Sequence, residues 1–427
     1  MTLGLFQGFG VEVEYMIVDR LTLDVRPISD RLLERLAGEP VSEVERGELA
    51  WSNELVLHVI ELKTIGPAPV LTGLSSLFHR NVIEANDALA SLDAILLPGG
   101  AHPWMDPDAE ARLWPHENNE VYEAFDRIFS CRGHGWANLQ SIHLNLPFQG
   151  DDEFRALHSA VRAILPLLPA VAASSPILDG RVQEALDQRM VEYGQNSRRI
   201  PSVAGAVVPD AVDTQKDYER EILGPIYRDL ALHDPDGTLR HEWVNARGAI
   251  ARFERDTIEL RILDTQECPA ADLSVVRAVT GVVNQLCSRI LDGDERPHRL
   301  GTDELAGVLD LVIRKAEGAR LESVRYMEAL GLPKAAKVRW ARDVWWELLD
   351  RAPPVPWEGE GPERDGDGRD PLLTILEEGS LASRIVRSLG PRRDPDELLR
   401  GRDRDQLREI YGELADCLAR NRVFRRD

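Results

Sequence analysis

Positive charge is in short supply in this chain. Fifty-one lysines and arginines stand against 73 aspartates and glutamates, a formal net charge of −22 over 427 residues. Nucleic acid and anionic membrane both need a cationic surface, so neither is expected as a main partner, although a local cationic pocket for phosphate stays open. Cysteine is nearly as sparse. Cys131, Cys268, Cys287 and Cys417 lie far apart with no CxxC pair, which argues against a zinc knuckle and reads as buried or free thiols in a reducing compartment. Long apolar runs are missing too. The stretch Met1–Asp19 has no basic segment and no extended hydrophobic core, so neither a signal peptide nor a membrane span is expected, and the expected location is cytoplasmic. No Ser-His or Cys-His nucleophile signature stands out, and there is no internal repeat.

What is present is 43% hydrophobic residues, enough for a large core. Phe9–Val18 alternates apolar and polar residues, as a strand does. Glu54–Thr64 and Asn138–Phe148 are further strand candidates, and Ala249–Leu263 contains a strand centred on Ile258. Leu71–Leu97, Asp152–Ala172, Pro269–Leu291 and Asp303–Glu317 carry helical spacing. Strands separated by long helical stretches predict an α+β fold. Pro353, Pro354 and Pro356, followed by glycine and charge, suggest a loop or linker over 352–369. That divides the chain into a catalytic core at 1–351 and a helical segment at 370–427 packing on it.

Four constellations could carry chemistry. In Gly10-Val11-Glu12-Val13-Glu14, strand alternation puts Glu12 and Glu14 on one face. Two adjacent carboxylates repel, so that face is either solvated or neutralised by a divalent cation. In Thr257–Asp264, Thr257, Glu259 and Arg261 share a face. They form either a cross-sheet ion pair or a metal carboxylate beside a phosphate-binding guanidinium, with Arg247, Arg252 and Arg255 upstream adding charge. His143 and Asn145 share the polar face of a third strand, where a lone histidine can equally be structural. Glu54 and Glu61 are seven residues apart and share a site only through a bulge, or if Glu54 lies in the turn before the strand. Together these strands describe a sheet with one charged face. A phosphoryl-transfer site holding several magnesium ions would explain such a face.

The motifs also resemble a known family. Gly10-Val11-Glu12-Val13-Glu14 is similar to an opening GxExE strand, and Glu61-Leu62-Lys63-Thr64 with Pro67 to an ELxT-P segment. Gly99–Trp104 resembles a G-x-HP element, and Ser141–Asn145 an H-x-H strand whose second histidine is here Asn145. Thr257, Glu259, Arg261, Asp264, Thr265 and Gln266 match the family's TxExRxxDTQ run, and Glu377–Ala382 and Ile410–Leu418 are similar to its tail. The family is the type 2 glutamate–cysteine ligases, the carboxylate–amine ligases of the glutamine synthetase superfamily.

The resemblance implies a curved, mostly antiparallel sheet, a glutamine synthetase-like funnel with helices packed on its outer face. It implies an ATP-dependent ligation through an acyl phosphate, with glutamate as the carboxylate and an amine as acceptor. It assigns magnesium ligation to Glu12, Glu14, Glu54, Glu61, His143 and Glu259, catalysis to Glu259 and Arg261, and ATP contacts to Arg247, Arg252 and Arg261. Arg198, Arg199 and Asn145 become candidates for substrate. The segment after Ser174-Ser175-Pro176 departs from the family pattern, which bears on the substrates rather than on the metal face. A phosphotransferase that stops after phosphoryl transfer, or a nucleotide-binding protein of the same fold without turnover, would use the same face. A second copy of the chain is left open as a partner.

Overall fold

In the computed structural model the described residues are 3–333, 338–352, 362–390 and 398–426. The centre is an eight-stranded antiparallel sheet. Its strands are β1 (Gly10–Asp19), β2 (Glu43–Arg46), β3 (Leu49–Asn53), β4 (Val59–Thr64), β5 (Ala94–Leu97), β6 (Ser141–Pro147), β7 (Ala249–Arg252) and β8 (Thr257–Asp264). They lie in the order β2-β3-β4-β1-β6-β8-β7, with β5 pairing the far end of β1.

The alternation read from the sequence decides which side of this sheet is dry. Val11, Val13, Tyr15, Leu62, Ile142, Leu144, Leu146, Ile258 and Leu260 all point to one face and are fully buried. Each such aliphatic chain contributes about 1.5–3 kcal/mol by leaving water. Helices Leu74–Ala90, Gly150–Ile164 and Pro269–Leu291 pack against one another behind that face. Tyr15 Oη donates to Asp272 Oδ2 at 3.2 Å and ties the central strand to the longest of these helices.

Two elements differ from the sequence reading. The helical stretch expected over Leu71–Leu97 ends at Ala90, and Ala94–Leu97 is a strand whose Met16↔Leu97 pairing extends the sheet. A four-residue apolar run carries no period to distinguish the two. The helix expected over Asp152–Ala172 breaks after Ile164, where Pro166 and Pro169 remove backbone donors. Ala249–Leu263 contains the expected strand around Ile258, β8, which β7 precedes in a hairpin turning through Asp256 in the left-handed region.

Of the linker expected over 352–369, residues 353–361 lie outside the described residues. The described remainder is packed: buried Asp365 accepts from the backbone N–H groups of Asp367, Arg369 and Val423. The C-terminal helices Pro371–Glu378, Leu381–Ser388 and Arg402–Arg420 lie against the rest of the chain through a buried Arg384–Glu267 pair at 2.6 Å and an Ala270 N–H donated to Asn421. Among the described residues no helix is long and apolar enough to cross a membrane.

The Asp264 carboxylate is a buried hub. It accepts from Ser174 N (2.8 Å), Ser175 Oγ (2.9 Å) and Arg189 Nε, so it joins β8 to the segments that follow the central helices. Gly100 makes room for it, because a Cβ there would stand 2.4 Å from the carboxylate. Gly100→Ala is therefore expected to cost about 1–3 kcal/mol of stability. Gly307→Ala, in an open helical position with nothing within 4 Å, is expected to be neutral or to gain about 0.5–1 kcal/mol. Thermal unfolding of the two variants side by side measures the difference.

Candidate active site

The polar face of the sheet opens into a cavity of about 1210 Å³. This exceeds the roughly 300–1,000 Å³ of an ordinary small-molecule pocket, so more than one ligand fits. Strand register builds its floor. Glu12 lies opposite Lys63 on β4 and His143 on β6, and Glu14 lies opposite Glu61. Glu259 on β8 lies opposite Asn145, and Thr257 opposite Arg252. Because directly opposed residues share a face, Glu12, Glu14, Glu61, His143, Asn145, Thr257 and Glu259 converge here. A register shift between Leu260 and Leu263 inserts an extra residue at Arg261–Ile262, next to Glu259.

The contacts are dense. Glu12 Oε2 lies 3.2 Å from His143 Nδ1, and Asn145 Nδ2 donates to Glu12 Oε1 at 3.1 Å. Glu14 Oε2 accepts from the N–H and hydroxyl of Ser141 at 2.7 and 3.0 Å. Glu61 Oε1 accepts from Ser52 Oγ (2.9 Å) and Lys63 Nζ (3.0 Å), and Lys63 also reaches Glu43 at 2.9 Å. Glu259 is clasped by Arg252 Nη1 (3.0 Å) and Arg261 Nε (2.9 Å). Glu54 sits in the turn before β4, the arrangement that lets it share the cavity with Glu61.

Charge crowding shifts the proton affinities. Burial and then the Glu12 charge push Glu61 up to about 7, against the pull of Lys63. Burial and the Glu14 and Glu61 charges hold Glu54 well above the carboxylate range. Burial would raise Glu12 as well, but the His143 hydrogen bond and the charges of His143 and Lys63 bring it down to about 2. Burial opposes charge on His143, yet Glu12, Glu14 and Glu259 lift it to about 9. The cluster therefore favours protons on Glu54 and His143.

The donor set fits a hard divalent ion. One ligand atom each from Glu12, Glu61 and His143 lie within 4.8 Å of one another, and buried Asn145 Oδ1 has no partner among the described residues. Carboxylate oxygen with one imidazole suits Mg²⁺ or Mn²⁺. Glu14, Glu54 and Glu259 line the same cavity but stand outside that tight group.

Not every expected residue is here. Arg252, Arg261 and Asn145 line the cavity. Arg247 does not. Its guanidinium turns to Asp210 (3.1 Å) and the Ser202 carbonyl (3.1 Å), pressed against Gly205. Arg198 and Arg199 are exposed and off the cavity, and Arg199 caps the carbonyls of Arg127 and Ile128. The arginine that does reach the cavity from this segment is Arg189, held by Asp264 and only 2% exposed. Sequence reasoning passed over it, and over Lys63, although Lys63 lay inside a quoted motif at an alternating position beside Glu61. His102 of the G-x-HP element is structural: it is buried, and its Nε2 lies 2.8 Å from the Leu23 carbonyl.

In the cation-free protein the His143 ring is expected to titrate near pH 9 rather than 6.5, keeping its proton until the pH passes that point. Glu12→Gln removes the hydrogen-bonded anion and should bring the midpoint back toward the ordinary value. NMR of the histidine ring protons reads both.

Comparison with known proteins finds relatives and shared folds along most of the chain. The model of the glutamate-cysteine ligase family 2 (GCS2) matches residues 8–404. An uncharacterised protein of Archaeoglobus fulgidus is 30% identical over 422 residues, 97% of this chain and 99% of its own. A Salinispora arenicola protein, provisionally named glutamate–cysteine ligase 2, is 26% identical over 300 residues, 68% of this chain and 70% of its own. Two solved structures share the fold at 13% identity. The Francisella tularensis glutamate–cysteine ligase, in complex with AMP, has a TM-score of 0.57 and covers 98% of this chain and 95% of its own. The Pasteurella multocida bifunctional glutathione synthetase has a TM-score of 0.55 and covers 96% of this chain and 53% of its own. The fold is thus the glutamine synthetase-like one that the motifs implied. A match along nearly the whole chain, through the strands that floor the cavity, makes this protein a member of the glutamate–cysteine ligase family 2.

Proposed function

We propose that the chain is a magnesium- and ATP-dependent carboxylate–amine ligase that works through an acyl phosphate, with glutamate as the carboxylate donor. The observation that carries this reading is the grouping of Glu12, Glu61 and His143 beside Glu14, Glu54 and Glu259, with Arg252 and Arg261 in the same cavity. AMP in the Francisella structure and the names of the relatives support a nucleotide and glutamate as ligands.

In this reading Glu12, Glu14, Glu54, Glu61, His143 and Glu259 are the magnesium ligands. Bound magnesium supplies charge neutralisation on the triphosphate. Glu259 also fixes Arg252 and Arg261, so their remaining N–H groups meet the transferred phosphoryl oxygens in a preset geometry. A donor carboxylate oxygen attacks the γ-phosphorus and ADP leaves. The amine nitrogen then attacks the acyl carbon, phosphate leaves, and the nitrogen gives up one proton to water or to the departing phosphate, leaving the amide. No side-chain nucleophile is needed, so the site's work is positioning and charge stabilisation.

ADP release with magnesium, ATP, glutamate and an amine tests the reading. Turnover that needs both organic substrates and yields an amide supports it. ADP release indifferent to the amine would mean a phosphotransferase instead, and nucleotide binding without ADP release would mean a binding protein. Glu259→Gln is expected to lower turnover by about 10²-fold or more with the fold intact; near-normal turnover would remove Glu259 from the site. Cation affinity should rise as the pH is raised through 7 toward 9, because Glu61 and His143 must shed their protons on binding. Calorimetry in buffers of different ionisation enthalpy measures the protons released.

A further inference from the structure

The cavity wall is of two unlike kinds. Where β8 begins, Arg252, Arg255 and Thr257 line it. Another part of the wall is aromatic. Only 6% of the chain is Phe, Trp or Tyr. Yet Tyr122, Phe125, Trp136, Tyr193 and Trp243 all line this one cavity.

Three of these rings form a continuous surface. The Phe125 centroid is 5.2 Å from Trp136 and 5.8 Å from Trp243. All three side chains are only half-buried, so they have apolar surface left to cover. The surface is also fixed in place. Trp136 Nε1 donates to the Asn196 carbonyl at 3.1 Å, and Trp243 stacks on His241 at 5.2 Å and 11°. Gly135 permits the close approach, because a Cβ there would stand 2.6 Å from the Glu192 carbonyl. That approach brings Trp136 up against the helix Gln188–Tyr193, which carries Arg189. Arg189 is buried, lines the cavity, spends its Nε on Asp264, and its Nη2 has no partner among the described residues. A buried guanidinium nitrogen with nothing to donate to suits a carboxylate.

We infer that this aromatic wall binds the acceptor, and that the acceptor is an amino acid with a large apolar or aromatic side chain rather than cysteine. Its carboxylate meets Arg189 Nη2, and its side chain covers the rings of Phe125, Trp136 and Trp243. Glutamate, charged at both ends, gains nothing from bare ring faces. A thiol side chain would leave most of the three rings wet, whereas a phenyl or indole group would cover them and stack.

The inference rests on the ligase reading, and two measurements separate their failures. The first is kcat/KM for L-cysteine, L-alanine, L-leucine, L-phenylalanine, L-tryptophan and phenethylamine, each with glutamate and magnesium–ATP. The expected order places phenylalanine or tryptophan about tenfold or more above cysteine, and above phenethylamine, which lacks the carboxylate. Trp136→Ala and Trp243→Ala, checked for folding by circular dichroism, should raise KM for the acceptor about tenfold and leave KM for ATP unchanged. Preference for cysteine, or a rise confined to the ATP KM because the rings hold adenine, would overturn the inference.

The second is calorimetric binding of L-phenylalanine and L-cysteine to the full chain without turnover. Phenylalanine binding that Trp136→Ala abolishes would uphold the pocket even where no amide forms, in which case the ligase reading alone fails. Equal or absent binding of the two amino acids would sink the pocket whatever the catalytic result.

Discussion

Like charges that cannot move apart govern this molecule. The antiparallel register sets Glu12 beside His143 and Glu14 beside Glu61, and the turn before β4 adds Glu54. Burial makes every uncompensated charge there costly. Their surroundings follow from that demand: Lys63 answers Glu61 and Glu43, Arg252 and Arg261 answer Glu259, and His143 keeps a proton against Glu12. These compensations are all made from inside the chain. They leave a set of oxygens and one imidazole of the kind that a hard divalent ion takes.

The rest of the fold holds this face still. The apolar face of the same strands is sealed by helices, so no strand can slip by one residue without exchanging the dry face for the charged one. Several family motif residues serve here rather than in the cavity. Asp264 collects Ser174, Ser175 and Arg189, Gln266 Nε2 donates to the carbonyls of Ala172 and Asp264, and His102 pins a loop. A motif therefore marks two different jobs, and only the side that faces the sheet's polar surface touches chemistry.

That division explains what the sequence could reveal. Alternation with period two was enough to put Glu12 with Glu14, Glu259 with Arg261, and His143 with Asn145. Motif order was enough to assemble them into one family and one fold. Alternation could not say which way an arginine outside a strand turns. Arg247 follows a 3-10 turn and finds Asp210, and Arg198 and Arg199 lie in a turn-rich segment facing solvent. Arg189 reaches the cavity because Asp264, 75 residues away, holds its Nε. Such a partner depends on tertiary packing, which local pattern does not encode. The aromatic wall escaped for the same reason, since Phe125, Trp136 and Trp243 come from three separated segments.

The central claim is that the carboxylate face exists to hold divalent cations, with His143 among their ligands. Pulsed electron paramagnetic resonance of the protein loaded with Mn²⁺ tests it most directly. The account predicts a nitrogen coupling from one imidazole that disappears in His143→Ala. Mn²⁺ bound without any nitrogen coupling, or a coupling unchanged in that variant, would contradict it.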